Sequence, residues 1–244
     1  MDEKNYSIEV ENLHIRYRNI KKMSIKQQLF GKKQNKNNYF EAVRGVSFKV
    51  EKGKILGIIG KNGSGKSTML RAIAGVFNAD EGTIDLHGNS VSLMAIGVGF
   101  QKELTGRENI MLSGMVLGFD EKTIQEKSSE IIEFAELGDF IDMPVSTYSS
   151  GMHSKLAFAI TAILETDIML VDEVLSVGDQ KFKKKSYKKM KELIQDENRT
   201  VVIVSHNIST LKELCNQVMW MHDGKIKMLG DTEEVLTKYE EFMS

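Results

Sequence analysis

The stretch that decides the fold is Gly60-Lys61-Asn62-Gly63-Ser64-Gly65-Lys66-Ser67. It matches the pattern G-x-x-x-x-G-K-[ST] of a phosphate-binding loop at every specified position. An almost wholly apolar run, residues 54–59, precedes it, and residues 66–74 carry apolar side chains at helical spacing. A strand, a glycine-rich loop and a helix in this order are what such a loop requires. The sequence therefore predicts a nucleoside triphosphate site.

Each residue type in this loop has a chemical task. The glycines allow the backbone to turn tightly, so that its N–H groups point at phosphate oxygens beside the positive end of the helix dipole. Lys66 places a cation on the terminal phosphates, and Ser67 supplies a hydroxyl for Mg²⁺. The predicted nucleotide-binding residues of this stretch are Gly60, Lys61, Asn62, Gly63, Ser64, Gly65, Lys66, Ser67 and Thr68.

Further apolar runs predict a sheet around the loop. Residues 168–171 and 201–204 have the composition of strands that are buried on both faces. Helical patterns lie around and between them, at residues 150–164, 181–194 and 208–215. Strands that alternate with helices predict an α/β fold with a mainly parallel sheet that is covered on both faces.

Three other regions extend this prediction. Residues 217–221 and 225–229 predict a hairpin near the end of the sequence. Residues 8–10 and 46–50 alternate between apolar and polar, as half-exposed antiparallel strands do. The mostly helical stretch that begins at residue 103 predicts a helical subdomain inserted into the core, at about residues 103–165.

Two acidic residues, Asp172 and Glu173, close the predicted strand 168–171. An acidic residue at such a strand end can hold Mg²⁺ in phosphate-loop NTPases, and Glu173 is placed to polarise an attacking water. An exposed acidic helix cap is the alternative for the pair taken alone. His206 follows the strand 201–204, which predicts a place on the same edge of the sheet. A lone histidine, however, is more often a packed or surface residue.

Charge and apolar content limit the partners. Lys plus Arg number 33 and Asp plus Glu 34, for a formal net charge of -1, so we expect no nucleic-acid surface. Cys215 is the only cysteine, which excludes an intrachain disulfide. The polar N-terminus lacks the apolar core of a signal peptide, and the longest apolar run, residues 156–164, is far short of the about 20 residues that cross a bilayer. We expect any membrane role to come through a partner.

Between the phosphate loop and Asp172 lies the segment Tyr148-Ser149-Ser150-Gly151-Met152. Together with Gln101, residues 176–179 and His206, these motifs resemble those of the ATP-binding-cassette ATPases in order and rough spacing over nearly the whole chain. The resemblance implies a phosphate-loop cassette with a RecA-like parallel core, an N-terminal antiparallel β-subdomain and an inserted helical subdomain. It also implies ATP and Mg²⁺ as cofactors.

In this family two ATP molecules are sandwiched in a head-to-tail dimer, and the signature segment of one subunit closes over the ATP held by the other. Ser149 and Gly151 match the signature positions that contact the partner's γ-phosphate. Ser150 replaces the glycine of the commonest form, Leu-Ser-Gly-Gly-Gln, and still leaves a small residue there. Tyr148 and Met152 depart from that form as well. The resemblance thus implies a homodimer of this chain, with Ser149, Ser150 and Gly151 acting in trans.

The resemblance also implies roles for single residues. Glu173 matches the general base, and His206 matches the switch residue that contacts the γ-phosphate. Asp179 matches the acid of the loop that links the two sites, although Gly178 replaces the usual leucine. Gln101 matches the glutamine that senses Mg²⁺ and the membrane partner. The implied catalytic set is Lys66, Glu173 and His206, and the implied metal set is Ser67, Gln101 and Asp172.

The aromatic residue that stacks on adenine has several candidates. The family places it shortly before the strand that leads to the phosphate loop, so Tyr39 and Phe40 are the nearest, and we assign Tyr39 to the nucleotide site. Tyr17 is the alternative if the Lys- and Asn-rich residues 21–38 are an insertion. A plain packing role is open for each of the three.

The residues in these motifs resemble those of one branch of the family, the ATPases of exporters for teichoic acids, O-antigens and capsular polysaccharides. The segment 148–152, residues 171–179 and residues 103–109 carry this resemblance. It implies an integral membrane permease as a separate partner, a lipid-linked glycopolymer as the transported substrate, and a place at the cytoplasmic face of a bacterial membrane. We expect residues 1–244 to form a single cassette without a C-terminal carbohydrate-binding domain, which favours teichoic acid over capsule or O-antigen polymers.

Other functions stay open on the sequence. A phosphate-loop kinase explains Lys66 but not the signature segment, and a non-transport cassette usually has two cassettes or a long coiled coil. A regulatory subunit that binds ATP without hydrolysis conflicts with intact Lys66, Glu173 and His206. The basic run on the predicted helix 181–194 is expected to be a solvated face, with contact to anionic lipid as the alternative.

Overall fold

A computed structural model describes residues 5–18, 39–94, 99–172 and 179–243. The strands of these residues are β1 (Tyr6–Arg18), β2 (Tyr39–Glu51), β3 (Ile55–Ile59), β4 (Glu81–Asp85), β5 (Val91–Leu93), β6 (Ile168–Asp172), β7 (Thr200–Val204), β8 (Gln217–His222) and β9 (Lys225–Asp231). The helices are α1 (Lys66–Ile73), α2 (Gly106–Val116), α3 (Glu121–Ala135), α4 (Ser150–Ile163), α5 (Gln180–Ile194), α6 (Ile208–Leu214) and α7 (Thr232–Met243). Two short 3-10 helices, Gly138–Asp142 and Val145–Thr147, lie before α4.

The central sheet has six strands in the order β5-β6-β7-β3-β8-β9. All neighbouring strands are parallel except β9, which pairs with β8 in the antiparallel sense. Side chains alternate between its two faces: Val202 and Val204 pack in the cluster with α1, whereas Val201 and Ile203 pack in the cluster with α5 and α7. This burial on both faces explains why the strands are continuous apolar runs. The predicted mainly parallel α/β sheet is confirmed.

A second sheet is antiparallel, with the order β2-β1-β4. It packs on the α1 side of the central sheet, and Ile8, Val10, Val43 and Phe48 join the same buried cluster. The predicted N-terminal antiparallel β-subdomain is therefore confirmed. The prediction for residues 21–38 falls outside the residues that the structure describes.

Helices α2, α3 and α4 form a helical subdomain around their own buried cluster, to which Ile110, Ile124, Ile131 and Leu156 belong. It begins at Thr105, whose hydroxyl accepts a hydrogen bond from the Glu108 backbone in a capping box that ends the preceding loop. The three helices thus form the inserted helical subdomain of the predicted fold.

The predicted hairpin is formed by β8 and β9, and its turn holds Asp223 and Gly224 at φ 47° and 77°. Two positive φ angles in sequence are typical of the tight turn that matches strand twist. The sequence did not predict β4, β5 or α7. Among the described residues, none of the helices has the length and apolarity required to cross a membrane.

Candidate functional site

The phosphate loop connects β3 to α1 and lies in a tight backbone cradle. Gly65 caps α1 at φ 100°, and a Cβ atom there would lie 2.3 Å from the carbonyl oxygen of Ala42 in β2. A Cβ atom on Gly60 would lie 2.2 Å from the carbonyl oxygen of Met221 in β8. A side chain at either position would therefore push the loop away from the strands that support it.

Lys66 lies at the centre of the loop and is buried, with 6% of its surface exposed. Its Nζ donates hydrogen bonds to the carbonyl oxygens of Gly60, at 2.8 Å, and Lys61, at 3.1 Å. The Lys61 oxygen also accepts the Ser64 N–H at 3.2 Å. The carbonyl oxygens of Gly60 and Lys61 thus hold the Lys66 ammonium, the cation of the loop, in place.

The polar groups of the loop fit phosphate. The Ser64 hydroxyl is buried and has no hydrogen-bond partner within the described residues, and a phosphate oxygen in the loop would satisfy it. Lys61, Asn62 and Gly63 form the exposed outer turn. The N-terminus of α1 adds its dipole at the same place.

Ser67 and Asp172 meet beside the loop, where the Ser67 hydroxyl donates a 2.9 Å hydrogen bond to Asp172 Oδ1. A hydroxyl and a carboxylate are hard oxygen ligands, the type that Mg²⁺ prefers. Within the described ranges, no cluster of three or more His, Cys, Asp or Glu residues could hold a metal ion. Mg²⁺ commonly takes one or two carboxylates and completes its shell with water and substrate phosphates, so the Ser67–Asp172 pair fits it.

The strand register brings the ends of three strands to one edge of the sheet. Ile58 of β3 and Asp172 of β6 both pair with Val204 of β7. Gly60 follows Ile58 by two positions, and His206 follows Val204 by two positions. Both therefore lie beside Asp172 at the carboxyl edge of the sheet, where ligands of α/β sheets bind. His206 is exposed there. Glu173 lies outside the described residues, as do Ser176, Val177 and Gly178.

Gln101 is exposed, and the buried side chain of Asn109 holds its backbone. Asn109 Oδ1 accepts the Gln101 N–H at 2.7 Å, and Asn109 Nδ2 lies 3.0 Å from the Gln101 carbonyl oxygen. The same Nδ2 lies 3.1 Å from the Leu104 oxygen and 2.8 Å from the Thr105 oxygen. One amide of α2 therefore fixes the loop that carries Gln101.

The signature segment opens α4. Ser149 is the N-cap residue, and its Oγ accepts the Met152 N–H at 3.2 Å. Among the residues that the structure describes, a Cβ atom added at Gly151 would meet nothing closer than Ser149 Oγ at 3.8 Å, so they leave the surface at this glycine open. Ser149 and Ser150 are exposed. The segment thus presents hydroxyl and N–H groups at a helix N-terminus.

Tyr148 stands where the commonest signature sequence has leucine, and its packing accounts for this difference. Its hydroxyl donates a 2.7 Å hydrogen bond to the Phe140 carbonyl oxygen, and its ring packs on the core of the helical subdomain. A Cβ atom on Gly106 would lie 2.2 Å from this hydroxyl, so the tyrosine fits against a glycine at the start of α2. Burial raises the pKa of Tyr148. The tyrosine therefore anchors the signature segment without occupying its open face.

Asp179 contacts the signature helix through Lys155, whose Nζ donates a 2.7 Å hydrogen bond to Asp179 Oδ2. Lys155 is largely buried, with 15% of its side chain exposed. Asp179 also caps α5 by accepting the Phe182 N–H at 3.0 Å. The hydrogen bond from Lys155, followed by the one from Phe182, lowers the pKa of Asp179 to about 2. The aspartate is thus ionised and joins α4 to α5.

These residues enclose a shallow hollow on the surface. Its lining residues are Ser149, Ser150, Gly151, Met152, Ser154, Lys155 and Asp179. Within the described part of the chain, the lining includes no residue of the phosphate loop. The signature segment therefore faces outward, where a second molecule can reach it.

One aromatic candidate reaches the phosphate-loop helix. The Tyr17 hydroxyl lies 3.3 Å from Thr68 Oγ1 of α1, and its ring contacts Phe77 at 6.3 Å between centroids. Tyr17 pairs with Phe40 across the β1–β2 ladder, and Arg18 pairs with Tyr39. Because side chains alternate along a strand, Tyr39 lies on the face of this sheet opposite to Tyr17 and Phe40.

A family model described as ABC transporter matches residues 43–176, more than half of the chain. This chain belongs to the ABC transporter family. The matched range contains the phosphate loop, Gln101, the signature segment and Asp172.

Curated relatives in this family are similar over nearly the whole chain. Teichoic acids export ATP-binding protein TagH of Staphylococcus haemolyticus is 43% identical over 97% of this chain and 89% of its own length. O-antigen export system ATP-binding protein RfbB of Klebsiella pneumoniae is 41% identical over 86% of this chain and 85% of its own length. TagH of Bacillus anthracis is 42% identical over 98% of this chain but only 43% of its own length. The chain thus spans about half the length of several relatives that it matches.

The fold of ABC cassettes is found in solved structures. A dimeric ATP-binding cassette in a post-hydrolysis state, bound to ADP and phosphate, superposes with a TM-score of 0.69 at 20% sequence identity. The match covers 92% of this chain and 98% of the other. At this identity the likeness establishes the shared cassette fold.

Three residues of this ABC cassette were missed by the sequence analysis. Asn109 and Lys155 hold Gln101 and Asp179 through side-chain contacts described above. His153, in the first turn of α4, stacks on Phe100 at 4.7 Å between ring centroids, next to Gln101. Asn109 ends the stretch 103–109 that resembles the family, and His153 and Lys155 closely follow the signature segment, but neither position in the sequence specifies a contact.

Proposed function

We propose that this chain is the ATP-hydrolysing subunit of an ABC exporter. The observation that carries this proposal is the Ser67–Asp172 hydrogen bond at the mouth of a loop closed around Lys66. This arrangement places a cation, amide groups and two oxygen ligands where the β- and γ-phosphates and Mg²⁺ of a nucleotide would bind.

Catalysis in such a site is mostly positioning and charge neutralisation. Lys66 and the loop amides would hold the phosphates, and Ser67 and Asp172, with Gln101, would hold Mg²⁺, which would supply further neutralisation of charge. Glu173 is the proposed general base, because it directly follows Asp172 at the end of β6 and can orient a water. His206 would contact the γ-phosphate from the adjacent strand end.

The active unit is proposed to be a homodimer in which each signature segment completes the site of the other subunit. The outward-facing hollow around Ser149 and Gly151 supports this, since its lining, over the residues described, holds no phosphate-loop residue of the same chain. Asp179 borders that hollow and would link the two sites. A C2 dimer uses the same pair of surfaces twice, so one interface completes both sites.

We propose that Tyr17 stacks on adenine. Its hydroxyl contact with Thr68 supports this choice over Tyr39, the residue that the sequence favours, because Tyr39 lies on the opposite face of the antiparallel sheet. Replacement of Tyr17 by alanine is expected to weaken ATP binding by about tenfold, since a base–aromatic stack contributes about 1–3 kcal/mol. Tyr39→Ala is the matched control and should bind ATP as the unsubstituted chain does.

The transport partner is proposed to be a separate permease in the membrane, so that this chain acts peripherally at the cytoplasmic face. A docking place beside Gln101 is supported by two exposed apolar residues at the end of α2, Met115 and Val116. Val116 lies next to Gly99, since a Cβ atom on that glycine would be 3.2 Å from Val116 Cγ2. The transported substrate is proposed to be a lipid-linked teichoic acid, on the basis of the names of the relatives; O-antigen polymer is the second candidate.

An ATPase assay of the unsubstituted chain and two variants tests the proposal that this chain hydrolyses ATP. The unsubstituted chain should release phosphate to water without an added acceptor, which a kinase would not do. Glu173→Gln should bind ATP, lose nearly all turnover and accumulate as an ATP-bound dimer, whereas Lys66→Ala should lose ATP binding itself. Substantial phosphate release by Glu173→Gln would remove Glu173 from the role of base.

The transport proposal is tested by isolating this chain from its native membrane together with its bound permease and lipid. A co-purifying permease that carries a polyprenyl-linked teichoic acid supports the proposal. An O-antigen or capsular polymer in the same preparation would support the second candidate. Purification of the chain without any membrane protein would contradict a role in export.

A further inference from the structure

The last turn of α7 contacts the phosphate loop through an aromatic ring. Phe242 lies 5.1 Å from Trp220 and 5.3 Å from His222, measured between ring centroids. The Lys227 ammonium lies 3.4 Å from the centroid of the same ring, and the Lys61 ammonium lies 5.4 Å from it. Lys61 is the second residue of the phosphate loop, so this ring joins the C-terminal helix to the nucleotide site.

Phe242 packs against Trp220, which is buried. Tyr239, one turn earlier in α7, is buried and packs edge-on against Trp220 at 5.3 Å. Trp220 pairs with Ile59, the last residue of β3 before the loop. The ring, which is 44% exposed, therefore packs on the same strands that support the loop.

The contact between Phe242 and Lys61 bears on the phosphate loop because the Lys61 backbone takes part in the loop's hydrogen bonds. Its carbonyl oxygen accepts hydrogen bonds from both Lys66 Nζ and the Ser64 N–H. On the other side of the loop, the Gly224 N–H donates a 3.2 Å hydrogen bond to the Ser64 carbonyl oxygen. The turn between β8 and β9 therefore holds the second half of the phosphate loop. The outer turn of the loop is exposed, and the Lys61 side chain lies at its start.

We propose that Phe242 is a positioning residue for nucleotide binding: its ring face holds the Lys61 ammonium and thereby keeps the Lys61 carbonyl oriented toward Lys66. This inference rests on the proposed ATP site. A cation–π contact at an exposed site is worth enough to change a binding constant by about two- to fivefold. The α7 helix thus sets part of the affinity of the loop through this ring.

The experiment is calorimetric titration of the purified chain with Mg²⁺–ADP. Phe242→Leu keeps an apolar side chain but removes the ring face, and it should weaken ADP binding about two- to fivefold. Phe242→Tyr keeps the ring and should bind as the unsubstituted chain does. Met243→Ala, an exposed residue of the same turn, is the matched control and should also leave binding unchanged.

Lys61 gives a second arm that does not depend on the packing of Phe242. Lys61→Ala should weaken ADP binding by the same factor, Lys61→Arg, which keeps a cation, should weaken it less, and Phe242→Leu should add nothing further in the Lys61→Ala background. Equal binding by Phe242→Leu and the unsubstituted chain, or fully additive effects of the two substitutions, would overturn the inference. Failure of the unsubstituted chain to bind ADP would instead overturn the proposed function, and this inference with it.

Discussion

Asn109→Ala tests how the glutamine loop is held. Asn109 is fully buried at 0% exposure, and its amide is within hydrogen-bond distance of the Gln101 N–H and of three carbonyl oxygens. Each buried group that loses its partner costs about 1–3 kcal/mol. Gln101 is exposed and water can replace part of what is lost, so we expect a total loss of about 2 kcal/mol in the free energy of unfolding.

In a domain of this size, such a loss lowers Tm by about 4–8 °C. Differential scanning calorimetry measures it, with Arg107→Ala as the matched control on the same helix. Arg107 forms an exposed ion pair with Asp142, so its loss should cost less than about 1 kcal/mol. ATPase activity of Asn109→Ala should also require a higher Mg²⁺ concentration, since the Gln101 loop is released. A Tm and a Mg²⁺ dependence equal to those of Arg107→Ala would refute the role of Asn109.

Two further changes test the support of the signature helix. Tyr148→Phe removes the hydrogen bond to the Phe140 oxygen and should lower the free energy of unfolding by about 1 kcal/mol in urea titrations. Tyr187→Phe, the control at an exposed tyrosine, should leave the free energy of unfolding unchanged. Equal midpoints of unfolding for the two variants would exclude this hydrogen bond as a stabilising contact. Burial, and secondarily Lys102, lowers the pKa of His153 below 6.5. Its stabilising contribution is therefore complete above pH 6.5 and is lost as the pH falls through the lowered pKa. The unsubstituted chain should lose more stability between pH 7 and pH 5 than His153→Phe, and parallel pH profiles would contradict this.

The phosphate loop and its neighbouring strands could be predicted because their signals are local. A motif with fixed spacing identifies Gly60 and Lys66, and strands buried on both faces are continuous apolar runs. Strand β5 was missed because it has three residues with a serine at the centre, and it exists through its pairing with β6. Helix α7 was missed although Val235, Leu236 and Tyr239 have helical spacing.

The contacts between motifs could not be predicted, because they depend on tertiary geometry. Asn109 reaches Gln101 eight residues earlier only in the particular turn that this loop adopts. The choice between Tyr17 and Tyr39 needs the strand register, since one residue of offset moves a side chain to the other face.

The basic run on α5 shows a similar dependence on geometry. Four of its seven lysines form ion pairs with acidic residues outside the helix. The expected solvated face stays a prediction. Lipid contact stays an untested alternative for the lysines of this helix.

The proposed trans arrangement has a direct test in mixed dimers. Lys66→Ala inactivates the phosphate loop, and Gly151→Asp blocks the signature segment, so each chain alone should have little ATPase activity. In an equal mixture about half of the dimers combine both chains, and each such dimer holds one site with an intact loop and an intact partner signature. We predict that mixing the two purified inactive chains restores up to about a quarter of the unsubstituted activity. An absence of any gain on mixing would contradict a site completed by the partner's signature segment.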